Sequence, residues 1–162
     1  GRTRVWVVDA VWKWAPDAKT SRTSFKLQGE VLRSTSDGTL VFDVANIGSA
    51  GAYRAVQSGA YVQGIYQFMP RWRAGYRYDR LSHGTVENGI VSNGLGPTAA
   101  DFPLLMADDN PTRNTAMIDW SLSEFSRLRL QYALDKSRIG VTDNQLVLQY
   151  IHSLGAHGAH RF

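Results

Sequence analysis

Arg71, Arg73, Arg77, Arg127 and Arg129 all fall at odd positions, and so do Asp79, Asp119 and Asp135. In an extended chain successive side chains point to opposite faces, so within their strands these charges oppose the apolar residues and fall on the polar faces of adjacent hairpins. A row of guanidinium groups suits the guidance of anions, because arginine stays charged at physiological pH and offers its donors in a fixed fork. In a narrow channel of low dielectric the field of such a row is focused. The three aspartates support a second reading, in which the charges of one face neutralise one another for structural reasons. Both readings stay open at this stage, and the candidates for a solute pathway are Arg73, Arg77, Asp79, Asp119, Arg127, Arg129 and Asp135.

Other chemistries find less support. His157 and His160 are weak candidates for a metal site. Three residues apart in a strand they point to opposite faces, and His152, which shares a face with His160, would be about 26 Å from it. Gly155 and Gly158 would have to bend the tail to bring ligands together. Asp108-Asp109-Asn110-Pro111 offers oxygen ligands for a hard cation, or a solvated turn. The glycines of 89–96 lack phosphate-loop spacing. No Ser/His/Asp set or carboxylate pair can be placed on one face, so neither an enzyme nor a resident cofactor is expected.

Strands are the elements that would position the charged face. Even positions Trp6, Val8, Ala10, Trp12 and Trp14 are apolar, with Asp9 and Lys13 between them. After a connection at 16–23 the phase changes to Phe25, Leu27, Gly29 and Val31. A third strand is expected at about Val56 to Phe68, and Met69-Pro70-Arg71 makes a tight reversal. Trp72, Ala74, Tyr76 and Tyr78 then alternate with arginines. Ala116, Ile118, Trp120 and Leu122 form the fifth segment, and Leu128, Leu130, Tyr132 and Leu134 the sixth. The last runs from Asn144 to Leu154 through Leu146, Leu148 and Tyr150. This two-residue period is the signature of half-buried strands.

The chain has 162 residues, 20% of them charged, and a mean hydropathy of -0.28. Those values suit a water-soluble domain, but also a membrane barrel, in which only every second residue meets lipid. No run of about 18 apolar residues exists, so any membrane crossing has to use strands. Cysteine is absent, which excludes disulfides and thiolate metal sites. The net charge of +4 permits anionic partners, but the arginines are spread along the chain and no nucleic-acid partner is expected. Links after the second and fourth strands, at 35–55 and 82–113, are long, with Thr39-Leu40-Val41-Phe42-Asp43-Val44 in the first expected to extend a hairpin above the sheet or to hide a further strand, whereas those after the third and fifth are short. Long outer loops and short inner turns are the asymmetry of outer-membrane barrels.

The expected fold is therefore all-β: an antiparallel transmembrane β-barrel, with residues 1–162 forming its C-terminal part of about seven or eight strands. Single-chain bacterial barrels have even numbers of strands from eight upward. About seven are legible, so N-terminal strands are expected elsewhere, or another strand hides in the first long link. Trp6, Trp14, Trp72, Tyr78, Trp120 and Tyr132 would be bilayer-interface aromatics. Tyr150 and Phe162 would form the C-terminal assembly signal. A soluble antiparallel barrel that binds a ligand or protein partner has the same period and is the alternative.

Three stretches go beyond pattern: Tyr66-Gln67-Phe68-Met69-Pro70-Arg71-Trp72-Arg73, then Ser123-Glu124-Phe125-Ser126-Arg127-Leu128-Arg129-Leu130-Gln131-Tyr132, then Thr142-Asp143-Asn144-Gln145 with Leu148-Gln149-Tyr150 and the Ser153–His160 tail. Together they resemble the C-terminal barrel region of proteobacterial outer-membrane proteins described as TonB-dependent-receptor-like, zinc-regulated or porin-like. The resemblance covers most of residues 55–162. It implies location in the outer membrane of a Gram-negative bacterium, with membrane lipid, the barrel-assembly machinery and a small-molecule or ion solute as partners. Contact with TonB would require N-terminal regions that have no counterpart in these residues.

Overall fold

The computed structural model describes residues 1–16, 22–43, 48–103, 105–106 and 108–154. Seven strands are hydrogen-bonded in sequence order: β1 (Arg2–Trp14), β2 (Ser24–Phe42), β3 (Ser49–Met69), β4 (Trp72–Asn88), β5 (Thr112–Ser121), β6 (Ser126–Arg138) and β7 (Val141–His152). Every neighbouring pair is antiparallel. The sheet is open among the described residues, since β1 and β7 share no ladder. No helix of these residues is long and apolar enough to cross a membrane.

Register gives each face its composition. The row Trp14, Phe25, Tyr66, Ala74 continues one rung further along as Trp72, Trp120, Leu128, Tyr150, all on one face. The Trp72 and Trp120 rings stack at 5.9 Å, and Trp12 meets the Phe25 edge at 5.9 Å. This face is largely bare: Trp6 is 73% exposed and Leu148 73%. The other face of the sheet shelters charged groups instead, with Asp119 1% exposed.

Most of the link at 35–55 is strand, in line with the hairpin extension expected within it. β2 and β3 stay paired without interruption from Ser24↔Gln67 to Phe42↔Ser49, so the hairpin merely continues and no extra spanning strand hides there. Hydropathic alternation fades beyond Thr35 although backbone pairing persists, because pairing needs no apolar face. The link at 82–113 is likewise shortened by β4, which reaches Asn88. Arg71 is moved off the strand: with φ at 70° it sits after Pro70 in the two-residue turn between Met69 and Trp72. Proline followed by a residue with positive φ is the pattern of a type II turn.

The connection after β4 folds onto the β2–β3 hairpin. A short helix, α1 (Gly89–Ser92), is capped by the Asn88 side chain, whose Oδ1 accepts from the Ile90 N–H at 3.1 Å. Ile90 is fully buried, and a methyl group on Gly89 would come within 2.7 Å of the Ala52 nitrogen. Phe102 packs on Phe42 at 5.2 Å. The loop is then tied back to β4 by Leu81 N–H donating to the Pro111 carbonyl at 2.9 Å and by His83 against the Leu105 carbonyl at 3.0 Å.

Candidate functional site

All seven predicted pathway residues lie on the polar face, which antiparallel register organises into rows. One row runs Gln67, Arg73, Asp119, Arg129, Gln149. Asp119 and Arg129 are directly opposed on β5 and β6, where the guanidinium donates from Nε at 2.7 Å and Nη2 at 2.9 Å to the two carboxylate oxygens. Arg127, one rung along, adds an Nη1 contact at 3.3 Å, while its buried Nε has no hydrogen-bond partner. Arg73 donates from Nε to Gln67 Oε1 at 3.1 Å.

A second cluster is built within β4. Arg77 and Asp79 are two residues apart, hence on one face, and bond through Nε at 2.8 Å and Nη2 at 2.6 Å. The Arg77 guanidinium also lies 3.8 Å from the Tyr61 ring centre, a cation–π arrangement. A third cluster centres on Arg113, which donates to Gln145 Oε1 at 2.9 Å and approaches Asp135 at 3.6 Å. Asp135 also accepts from the Ser137 N–H at 2.9 Å.

Each predicted aspartate thus has a cation: Asp79 takes Arg77, Asp119 takes Arg127 and Arg129, and Asp135 takes Arg113. The neutralising reading accounts for most of the face, and Arg73, bonded to Gln67, is the predicted pathway cation without a carboxylate among the described residues, standing beside Arg71 and Arg127. These three line a recess of about 550 Å³ with Ser121, Ser123 and Ser126. A larger recess of about 590 Å³ lies beside Arg77, Arg113, Arg129 and Gln131. Arg113 was hidden from sequence reading because it follows Pro111 in what looks like loop. Its odd number, in phase with Thr115 and Asp119, was the available signal. Tyr61 and Gln145 carry no signal until register is known.

Trp6, Trp14, Trp72, Tyr78, Trp120 and Tyr132 are all on the apolar face. Trp14, Trp72 and Trp120 mark one end of it, and Trp6, Tyr78 and Tyr132 stand toward the other. The Tyr76 and Tyr132 hydroxyls donate to Asn114 and Asn144 at 2.6 and 2.7 Å. Tyr150 shares this face and stacks on His152 at 6.2 Å. His157, His160 and Phe162 lie outside the described residues. Among the described residues no three metal-ligating side chains converge, and Asn110 Oδ1 is occupied by the His83 N–H at 3.3 Å.

No protein-family model matches the chain, and no solved structure matches it. It is similar, at 29% identity over 169 residues, to a protein of Aquifex aeolicus (strain VF5) described as an uncharacterized protein. The match takes in 100% of this chain and 31% of that protein, so the chain spans about a third of the length of the relative it matches.

Proposed function

We infer that this chain is part of the wall of an outer-membrane β-barrel that passes or takes up a small solute, in the manner of a porin or a TonB-dependent receptor. The observation that carries this reading is its inverted burial: charged Asp119 is sheltered while Trp6, Val8, Leu146 and Leu148 are each more than 70% exposed. In water such a face would be a severe aggregation liability, whereas lipid is a matching solvent for it.

The slope of the apolar band adds quantitative support. On the apolar face the first polar residue toward the loop end is Arg4 on β1, Arg33 on β2, Ser58 on β3, Arg80 on β4, Asn114 on β5, Lys136 on β6 and Asn144 on β7. Asn144 stands in the row of Ala10, so between β1 and β7 this border drifts by about six residues over six strand steps. One residue per strand, about 3.4 Å along against about 4.8 Å across, corresponds to a tilt of about 35°. Barrel strands tilt by about 35–45°. The aromatic border at the other end steps in the same sense, from Trp14, Phe25 and Tyr66 to Trp72, Trp120 and Tyr150.

Seven antiparallel strands leave β1 and β7 running in the same direction. Antiparallel closure then needs an odd number of further strands, which gives the even total of bacterial barrels. Solute selection would follow from lumen width and the paired charges of the polar face. Fractionation of cells expressing the full-length protein, followed by gel migration of heated and unheated detergent extracts, tests the reading. Recovery in the outer membrane with a heat-dependent shift is expected. A soluble, unshifted protein would overturn it in favour of a soluble barrel whose aromatic face is covered by other parts of the protein.

A further inference from the structure

Four of the border residues just named are cations, and the structure leaves all four without an acidic partner. Arg4, Arg33, Arg80 and Lys136 are exposed. None has a carboxylate within ion-pair distance among the described residues, although Arg77, Arg113, Arg127 and Arg129 of the other face are paired. They follow the slope of the apolar band, one each on β1, β2, β4 and β6, and the border residues of β3, β5 and β7 are the uncharged Ser58, Asn114 and Asn144. At the other edge of the band the same face carries Thr23 beside β2, Ser126 on β6 and His152 on β7, and reaches Pro16, Pro70 and Leu122 beside the remaining strands, with no lysine or arginine on that face, Arg22 and Arg71 standing in the turns. The collar is therefore one-sided, at the end from which the β2–β3 hairpin and the 89–111 loop project.

We propose that Arg4, Arg33, Arg80 and Lys136 form a docking collar for the phosphate groups of acidic glycolipids in the outer leaflet. The proposal rests on the membrane reading above. Exposed cations one rung past an apolar band stand at headgroup depth, where long side chains reach the interface while their stems stay on apolar surface. Arginine binds phosphate bidentately and lysine as a point charge. Near an anionic leaflet each cation adds to the attraction, so four on one border discriminate between phosphorylated and neutral lipid. The tyrosines just inside the collar, Tyr76 and Tyr132, are held by Asn114 and Asn144 and give the sugar rings a firm rim.

The test uses the full-length protein purified in a neutral detergent. Its unfolding midpoint is followed as bis-phosphorylated lipid A, its dephosphorylated form or inorganic phosphate is added. Lipid A should raise the midpoint by about 5 °C, and the other two should not. Joint replacement of Arg4, Arg33, Arg80 and Lys136 by Gln should remove the response and weaken lipid A binding at least about tenfold. Replacing Lys13, Lys26, Arg22 and Arg71 by Gln removes the same charge elsewhere and should leave the response intact. An undiminished response in the collar variant, or an equal response to inorganic phosphate, overturns the collar. Quenching of tryptophan fluorescence by brominated phosphatidylcholine separates the two readings. A quenched protein that ignores lipid A refutes only the collar, and an unquenched one refutes the membrane reading with it.

Discussion

Arg129 reaches across from β6 to grip both oxygens of Asp119 on β5, at 2.7 and 2.9 Å, in the most sheltered charged pair of the sheet. Removing one member of such a pair strands the other in a poorly solvated site. Asp119→Asn should cost about 2–3 kcal/mol, somewhat below the usual range for buried pairs because Arg127 and Arg129 keep some solvent contact. Urea unfolding in detergent checks this. A change under about 0.5 kcal/mol would show that the pair adds nothing, and a cycle with Arg129→Gln would measure the coupling.

Gly84 and Gly140 both have positive φ, at 68° and 70°, but their surroundings differ. A methyl group on Gly84 would collide with the Val56 carbonyl oxygen, beside the register shift between Val56 and Ser58, whereas Gly140 faces open space. Gly140→Ala should therefore cost about 1 kcal/mol, the backbone term alone. Gly84→Ala should cost clearly more and shift the β3–β4 ladder, read as lost amide protection at Val56 and Ser58. Equal costs at the two sites would contradict this account.

Ile118 and Gln131 occupy opposite faces of neighbouring strands. An arginine facing lipid at mid-depth costs about 2–4 kcal/mol, so Ile118→Arg should lower the yield of heat-modifiable barrel. Gln131→Arg, directed at the polar face, should fold normally. Equal tolerance of both would count against lipid on the apolar side.

Asp101 closes a single 3-10 turn, Ala99–Asp101, by accepting the Thr98 N–H at 2.7 Å and the Thr98 hydroxyl at 3.0 Å. Those bonds, the N–H first, hold its carboxyl below the usual Asp range. A depressed folded-state value means that the cap is present above the ordinary pKa of about 3.9 and is lost as pH falls through the lower, folded one. Amide exchange at Thr98 should accelerate on acidification below about pH 4, and Asp101→Asn should flatten that dependence. An unchanged pH profile in the variant would remove Asp101 as its cause.

What could be read in the sequence was whatever the two faces of a strand make different. The apolar stripe from Trp72 to Tyr78 and the charged one from Arg73 to Asp79 differ in solvent, so their alternation gave away strand and face together. Beyond Thr35 only the short run at 39–44 signalled that the β2–β3 hairpin extends, and beyond Ser82 the extension of β4 left no trace in hydropathy. Pairing was equally hidden. Arg77 takes a carboxylate on its own strand and Arg129 one on its neighbour, a choice set by register and not by residue type. Arg71 shares the parity of the charged face, but the turn chemistry of Pro70 takes it off the strand.

β2 and β3 contain 19 and 21 residues, roughly twice the 9–11 that a tilted strand needs to cross a bilayer. The surplus of about 8–12 residues amounts to about 27–41 Å of paired backbone. In the proposed orientation this surplus is a mast above the cell surface, stiffened at its side by Ile90 and Phe102. In that orientation a large particle approaching from outside would meet this paired backbone before the mouth of the pore.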